Sequence, residues 1–272
     1  MKNFLVSIIV GSLISFNAFA MNEKPIIQTE LKSNTSSASQ DKVVKKSPVA
    51  GSIFISFKTF HGNKSITGGG YLIIPASPVA AGHKFPVVII MHGSRGVTDE
   101  HEYAYARELT KINVASFVID SYTPRGIIAT HADQQQISMS DMLHDAFTAL
   151  ETLGTHPEID ITRAGLLGFS KGAIVSYMAA INAKRSEMKI DSQKKFAAHY
   201  LFYPGCALYY YDNTTTGSPM TMFLGEKDTY TGVQPCLDLA DTLKQKGADI
   251  KTIIYKNAVH AWDIPGEKSY PE

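Results

Sequence analysis

The chain has 272 residues, 44% of them hydrophobic and 19% charged, which is typical of a globular protein and too apolar for a disordered chain. Its 26 basic residues nearly balance its 25 acidic ones, so the formal net charge is +1. A protein that binds nucleic acid or an anionic membrane usually carries a basic excess or block, and this sequence has neither. The composition therefore favours a small, neutral substrate or ligand.

The first twenty residues have the pattern of a secretory signal peptide. Lys2 precedes an apolar run from Phe4 to Phe16, and Ala18-Phe19-Ala20 resembles a signal-peptidase site. A membrane anchor is the alternative, but this run is shorter than the roughly 20 residues that a bilayer requires. We therefore expect cleavage after Ala20, export to the periplasm or the medium, and no stable membrane anchor. Loss of Lys2 leaves 25 basic and 25 acidic residues in the mature chain.

The rest of the chain divides into a polar leader and one folded domain. Residues 21–50 show no sustained hydrophobic period, which predicts a flexible leader. From about Gly51 onward, short β-branched runs alternate with helical patterns. Strands are predicted at 53–59, 70–75, 85–91, 114–119, 163–168, 197–203, 220–224 and 250–255. Helices are predicted at 100–112, 139–153, 171–183 and 237–246.

These elements predict an α/β fold over residues 51–272. Strands that are apolar on both faces and alternate with helices indicate a mostly parallel sheet covered on both sides, here with antiparallel strands at its N-terminal end. Gly68-Gly69-Gly70 lies between two predicted strands and not at a strand-to-helix turn. We therefore interpret it as a bulge or turn, and not as a phosphate-binding loop.

Gly168-Phe169-Ser170-Lys171-Gly172 fits the pattern G-x-S-x-G. The pattern alone is weak evidence, since it occurs by chance in roughly one chain of this length in ten. Here it follows a predicted strand and opens a predicted helix, which is the setting of a nucleophile elbow. Glycines on either side would let this sharp turn pack closely against neighbouring strands. The alternative is an ordinary glycine-rich turn in which Ser170 caps the helix.

A serine nucleophile needs a base and an acid, and both follow Ser170 in the order of an α/β hydrolase. Strand 220–224 leads to Asp228, and strand 250–255 leads to His260. All three residues therefore fall beyond the carboxyl ends of parallel strands, where active sites of open sheets lie. We predict a triad of Ser170, His260 and Asp228. The alternative for His260 is a histidine in a surface loop.

Three other acids compete with Asp228. Glu226 also follows the strand, whereas Asp238 and Asp263 are poorer candidates because neither lies at a strand end. The remaining histidines are scattered and form no HExxH motif or other close pair, so we expect no metal site and no cofactor.

An oxyanion formed at Ser170 would need two N–H donors. Lys171 supplies one at the start of its helix, where the helix dipole also favours a negative charge. The loop Met91–Gly96 follows an earlier central strand, and we predict the Ser94 N–H as the second donor. The alternative is that this is an ordinary polar loop.

Together these residues resemble the dienelactone hydrolase family within the α/β-hydrolase superfamily. The resemblance covers about Gly51 to the C-terminus and rests on His92-Gly93-Ser94, on DSYTPRG at 120–126, on GFSKG at 168–172, on GEKD at 225–228 and on AVHAWD at 258–263. The 120–126 stretch is the most specific of these motifs. The resemblance implies the family's fold, its catalytic triad and the hydrolysis of esters or lactones.

The sequence departs from this family in two places. Ser170 stands where dienelactone hydrolase itself has a cysteine, so dienelactone is an unsafe choice of substrate. The chain ends 12 residues after His260, where family members usually continue into another helix, so either the product is truncated or the sheet lacks one covering helix, which would expose an apolar patch. Arg125, in the family-specific motif, either attracts a substrate carboxylate or pairs with Asp120 or another acid.

Two details bear on compartment and substrate. Cys206 and Cys236 are the only cysteines, and in an oxidising compartment they are expected to form a disulfide. Two free buried thiols would be expected instead if the chain were not exported. Tyr209-Tyr210-Tyr211 forms either the wall of an aromatic cleft or a surface loop.

The sequence therefore predicts an exported serine hydrolase acting on a small ester or lactone, with nucleic acid excluded as a partner. A peptidase on the same fold is the first alternative, disfavoured because no propeller or large cap domain is present to select peptides. A hydrolase fold that binds a ligand without turnover is the second alternative, suggested by the short C-terminal segment. No residue pattern fixes the acyl size or the oligomeric state.

Overall fold

A computed structural model of the chain describes residues 49–76, 82–207 and 214–264. The predicted signal peptide, almost all of the predicted leader, the run of three tyrosines and residues 265–272 lie outside these ranges. The predicted loss of the last helix is therefore not tested. Among the residues described, no helix has the length and apolar character needed to cross a bilayer.

The described residues form eight strands, five α-helices and two short 3-10 helices, Thr123–Arg125 and Gln134–Gln136. The strands are β1 Ile53–His61, β2 Lys64–Ile73, β3 Phe85–Met91, β4 Ala115–Ile119, β5 Ile159–Phe169, β6 Ala198–Phe202, β7 Met220–Gly225 and β8 Ile250–Tyr255. The helices are α1 Glu102–Thr110, α2 Met139–Leu153, α3 Lys171–Ala180, α4 Asn182–Glu187 and α5 Gln234–Gln245.

All eight strands belong to one sheet in the order β1-β2-β4-β3-β5-β6-β7-β8. The pairs β1–β2 and β2–β4 are antiparallel, and every pair from β4 to β8 is parallel. On β3, Val88 and Ile90 pack in a core cluster with residues of α1, whereas Val87 and Ile89 pack in another with α2 and α3. The predicted α/β architecture, with helices on both faces and antiparallel N-terminal strands, is confirmed.

The prediction of a bulge or turn at Gly68-Gly69-Gly70 is wrong. All three glycines lie inside β2 and pair in continuous register with β1. A Cβ atom on Gly69 would come within 2.6 Å of the Phe54 ring, and one on Gly70 within 2.3 Å of the Val118 carbonyl oxygen. The glycines are therefore required by close packing against both neighbours and not by a turn.

Several element boundaries also differ from prediction: β2 begins at Lys64 and not at residue 70, and most other elements shift by one to three residues. β5 begins at Ile159 and not at residue 163, because Ile159 and Asp160 pair with the first residues of β3 before the register shifts. α3 ends at Ala180 and not at residue 183, because Ile181 is extended and forms a β-bridge with Thr215. The chain then begins the short helix α4.

Cys206 and Cys236 form a disulfide, as the sequence predicts. The bond joins the segment after β6 to the first turn of α5. Both sulfurs are buried, and the residues enclose a stretch that includes β7 and the loop after it. The disulfide thus closes a loop of the chain that contains Asp228, the acid of the predicted triad.

Candidate active site

Ser170 occupies a sharp turn between β5 and α3. Its backbone has φ of 50° and ψ of −110°, which is strained for a residue other than glycine. A Cβ atom on Gly168 would lie 2.0 Å from the Gly172 carbonyl oxygen, and one on Gly172 would lie 2.3 Å from that of Met91. The two glycines are therefore needed for close packing of the turn. The Ser170 side chain makes no capping hydrogen bond to α3, so the alternative of a helix-capping serine is not what the structure shows.

The structure brings Ser170, His260 and Asp228 into one hydrogen-bonded chain. The Ser170 Oγ lies 3.1 Å from Nε2 of His260, and Nδ1 of His260 lies 2.8 Å from Oδ2 of Asp228. This geometry fits a neutral imidazole that donates from Nδ1 to Asp228 and accepts from the serine hydroxyl at Nε2. All three residues lie at the carboxyl-terminal edge of the parallel strands.

The Asp228 carboxylate is held by its own loop as well as by His260. It accepts hydrogen bonds from the backbone N–H groups of Tyr230 and Thr231, each at 2.9 Å, and from the Thr231 hydroxyl at 2.7 Å. Burial acts to raise the pKa of Asp228, but the hydrogen bonds from His260 and Thr231 outweigh it and hold the pKa below its ordinary value. The carboxylate is therefore ionised and fixed in orientation.

The competing acids lie elsewhere. Glu226 accepts a hydrogen bond from the Asn257 backbone N–H at 2.8 Å. Asp238 lies on α5 and accepts from the Gln234 side chain. Asp263 is buried but accepts from two tyrosine hydroxyls and from His101. Among the four acids considered, Asp228 is the one that contacts the His260 ring.

The loop after β3 lies directly against Ser170. A Cβ atom on Gly93 would be 3.4 Å from the Ser170 Cβ. The buried His92 holds this loop, because its Nε2 accepts from the Ser121 backbone N–H at 3.2 Å and its Nδ1 lies 2.8 Å from the Gly93 carbonyl oxygen. Ser94, the next residue, hydrogen-bonds through its hydroxyl to the Gln134 side-chain amide at 3.0 Å.

The Lys171 side chain is hydrogen-bonded to Gln134. Its ammonium donates to the Gln134 carbonyl oxygen at 2.8 Å. Burial lowers the pKa of this ammonium to about 8. The backbone N–H of Lys171, at the first position of α3, is the part of the residue that adjoins the nucleophile.

Ser170 and His260 open onto a cavity of about 330 Å³. Its other walls include Ser94, Phe169, Tyr230 and Ile264. The size suits a small organic molecule, and the mixture of apolar walls with a few polar groups is typical of a ligand site.

Comparison with known proteins identifies the family. A model of the dienelactone hydrolase family matches residues 69–272, three quarters of the chain. The chain belongs to the dienelactone hydrolase family. A Synechocystis sp. protein that carries the provisional name carboxymethylenebutenolidase is 24% identical over 229 residues, covering 76% of this chain and 86% of that relative. Membership of this family of hydrolases makes the protein a carboxylic ester hydrolase.

Solved structures share the same fold at low identity. A crystal structure from Klebsiella pneumoniae, provisionally named a dienelactone hydrolase, is 17% identical with a TM-score of 0.60, covering 81% of this chain and 92% of that one. Esterase 2 of Thermogutta terrifontis, solved after phosphorylation by paraoxon, is 14% identical with a TM-score of 0.61, covering 80% and 87% of the two chains.

In this dienelactone hydrolase family member, Arg125 does not line the cavity, and of the two roles left open for it, attraction of a substrate carboxylate is not the one that the structure shows. Its guanidinium forms a bidentate pair with Asp145 on α2, at 2.8 and 2.9 Å, and both side chains are buried, with exposures of 0% and 1%. It also donates to the carbonyl oxygens of Phe60 and Ser121. The pairing with an acid, which the sequence left open, is therefore the arrangement observed, with Asp145 as the partner.

The sequence did not reveal a second group of buried polar side chains beside the triad. We call it the His101 cluster; it comprises His101, Glu102, Tyr105, Tyr203 and Asp263. Burial alone would lower the pKa of His101, but the carboxylates of Glu102 and Asp263 outweigh it and raise the pKa to about 9. No local motif signals this cluster, because its members come from three separate segments.

Metal binding has no evident basis in the part of the chain that the structure describes. There, no three or more His, Cys, Asp or Glu side chains are grouped so that they could hold an ion. The predicted absence of a metal or cofactor stays a prediction.

Proposed function

We propose that this protein is an exported serine esterase that hydrolyses small carboxylic esters or lactones through Ser170, His260 and Asp228. The observation that carries the proposal is the hydrogen-bonded chain of these three residues, with Ser170 on a strained turn that opens onto the cavity. Nucleophile, base and orienting acid are each within hydrogen-bond distance of the next, as general-base activation of a hydroxyl requires.

The reaction follows from these positions. His260 Nε2 takes the Ser170 proton as Oγ bonds to the carbonyl carbon of the substrate, and Asp228 stabilises the imidazolium that forms. The tetrahedral oxyanion then collapses, the bond to the leaving oxygen breaks, and His260 returns the proton to the alcohol. A water molecule, deprotonated by His260, then attacks the acyl carbon. The second tetrahedral oxyanion collapses, the bond between the acyl carbon and Oγ breaks, and His260 returns the proton to Ser170 as the acid leaves.

We assign the oxyanion donors to the backbone N–H groups of Ser94 and Lys171. Ser94 lies on the loop that adjoins the nucleophile, and Lys171 begins the helix that follows it. The N-terminal end of α3 adds a favourable dipole for the developing negative charge. The proposed steps need no cofactor, because the reacting groups are those of the substrate, the protein and water.

The decisive experiment compares acid variants in hydrolysis of p-nitrophenyl acetate. Asp228→Asn should lower kcat by on the order of 10³-fold or more, because the amide no longer holds the productive tautomer of His260. Glu226→Gln is the matched control, since this acid belongs to the same loop but contacts Asn257 and not His260; its kcat should stay within about 2-fold of wild type. Equal losses in the two variants would contradict the assignment of Asp228.

A fluorophosphonate probe tests the nucleophile separately from turnover. The related esterase 2 was solved phosphorylated by paraoxon, which makes a phosphorus reagent a natural choice. Labelling should occur in wild type and be lost in Ser170→Ala. Folded wild type that is neither labelled nor active on an ester panel would support a binding protein without turnover, and faster turnover of peptides than of esters would support a peptidase.

Export is the part of the proposal that rests on the N-terminal sequence together with the disulfide. A stable disulfide requires an oxidising compartment in most organisms, and Cys206–Cys236 fits that setting. N-terminal sequencing of protein recovered from the periplasm or the medium should begin at Met21. Recovery of the intact chain from the cytosol alone would refute export.

A further inference from the structure

Asp263 is the centre of the His101 cluster. One carboxylate oxygen accepts from the Tyr203 hydroxyl at 2.9 Å, and the other accepts from the Tyr105 hydroxyl at 2.7 Å and lies 3.1 Å from Nε2 of His101. The Asp263 side chain is 4% exposed. A carboxylate this deeply buried is stable only when its oxygens are fully paired, and here the partners are protein groups from two distant segments.

The other ring nitrogen of His101 also faces a carboxylate. Nδ1 lies 3.1 Å from Glu102, so both nitrogens have an acidic partner and the imidazole is held as the doubly protonated cation. Glu102 in turn accepts from the Thr98 backbone N–H at 2.8 Å. The cluster therefore contains two carboxylates around one imidazolium, with two tyrosine hydroxyls as donors.

The cluster touches the triad through Tyr203. The ring centroid of Tyr203 lies 4.8 Å from that of His260 in an edge-on contact, and Tyr203 lines the same cavity as Ser170. Its backbone has a φ of 40°, and its side chain is almost completely buried. The backbone of Tyr203 is therefore in an unfavourable conformation. The hydrogen bond from its hydroxyl to Asp263 fixes its ring directly beside His260.

Asp263 also belongs to the segment that carries His260. It lies three residues after the base, and Ala261 between them has a φ of 55°. One carboxylate therefore tethers this irregular segment to α1, through Tyr105, and to the segment after β6, through Tyr203.

We propose that Asp263 is a positioning residue for His260: it anchors the segment that carries the base and holds Tyr203 against the imidazole, and so keeps Nε2 aimed at Ser170. This role rests on the proposed function, because it matters for turnover only if His260 is the base. It goes beyond the triad, since none of Asp263, Tyr203 and Tyr105 exchanges a proton with the substrate.

The test compares three variants in ester hydrolysis. Asp263→Asn keeps the shape of the side chain but removes its negative charge and one of its two accepting oxygens, so the cluster loses the ion pair with His101 and one acceptor. We expect kcat to fall roughly 10- to 100-fold, since a displacement of about 1 Å costs up to about 100-fold, while KM changes by less than about 3-fold. A loss of packing alone would not separate kcat from KM in this way.

The two tyrosines form a comparable pair, because each loses one hydroxyl bond to the same carboxylate when changed to phenylalanine; Tyr203 also loses a longer contact, 3.3 Å, with Nε2 of His101. Only Tyr203 also contacts His260; the ring contacts of Tyr105 are with His101, Phe169 and Phe202. Tyr203→Phe should therefore reduce kcat at least about 5-fold more than Tyr105→Phe, although both should lower the melting temperature similarly. This comparison carries the test if Asp263→Asn does not fold.

The outcomes are distinguishable. Wild type with no turnover and no fluorophosphonate labelling would overturn the proposed function and this role with it. If the wild type is active and Asp263→Asn lowers kcat by about 2-fold or less, only the positioning role is overturned. Equal kcat losses in the two tyrosine variants would do the same, since the cluster would then serve stability alone.

Discussion

Arg125→Ala separates a structural arginine from a substrate-binding one. The change removes both hydrogen bonds to Asp145 and leaves that carboxylate, 1% exposed, without its counter-ion. Of the partners of Asp145, the Thr59 hydroxyl remains. The carbonyl oxygens of Phe60 and Ser121 also lose a donor, but the Phe60 oxygen lies near the surface, where water can replace the guanidinium.

The expected loss in the free energy of unfolding is about 3–5 kcal/mol, which is the usual cost of removing one partner of a buried ion pair. A double variant, Arg125→Met with Asp145→Leu, should recover most of this loss because no unpaired charge remains. As a control, Arg163→Ala breaks a pair with Asp160 that is about a third exposed, and it should cost no more than about 1 kcal/mol.

Two measurements decide between the roles: chemical denaturation of the variants, and KM for a p-nitrophenyl ester whose acyl group carries a free carboxylate, the group that a substrate-binding Arg125 would attract. Arg125→Ala should unfold at a lower denaturant concentration than wild type and, while folded, keep its KM, because Arg125 is not part of the cavity wall. The reasoning would be refuted by a variant of unchanged stability whose KM rises about 10-fold or more, which corresponds to 1.4 kcal/mol of lost binding. That result would restore the substrate role predicted from the family-specific motif.

Two further predictions concern stability. Reduction of Cys206–Cys236, or replacement of both by serine, should lower the free energy of unfolding by roughly 3–4 kcal/mol from loop closure, and differential scanning calorimetry should show a melting temperature lower by on the order of 10 °C; an unchanged melting temperature would contradict this. The free energy of unfolding, measured in urea from pH 4 to pH 8, should peak near pH 6.5. Below pH 6.5, His199 takes up a proton in the unfolded chain but not in the folded protein, where burial lowers its pKa to about 3, so stability falls as the pH is lowered. Above pH 6.5, His101 loses its proton in the unfolded chain but keeps it in the folded protein until about pH 9, so stability falls as the pH is raised. Lys171, with its pKa lowered to about 8, adds an opposite slope only above pH 8. Stability that rises from pH 6.5 to 8 would refute the protonated state of His101.

The local sequence pattern was sufficient to predict the bounds of an element where its burial is uniform or strictly periodic. β3 and the helix Met139–Leu153 have the predicted bounds, because a continuous, fully buried apolar run defines the strand and a clear amphipathic period defines the helix. Chain order alone also predicted which serine, acid and histidine would meet, since the carboxyl ends of parallel strands converge at one edge of the sheet.

Local pattern failed where a residue's role depends on a partner far away in the chain. Arg125 finds Asp145 twenty residues later on a helix, and His101 finds Asp263 at a separation of 162 residues. The glycines of β2 are explained only by the Phe54 ring and the Val118 carbonyl that press on them. None of these neighbours can be read from spacing, because they depend on how the elements pack.

The strained turn at Ser170 has a chemical consequence. Its shape is imposed by backbone contacts of the flanking glycines and not by the serine side chain, which makes no capping bond. The reactive atom is therefore interchangeable: a thiol at the same position would project toward His260 without any rearrangement of the main chain. The main chain thus sets the position of the nucleophile, whichever atom carries the reaction, so the same turn can hold a serine oxygen or a cysteine sulfur.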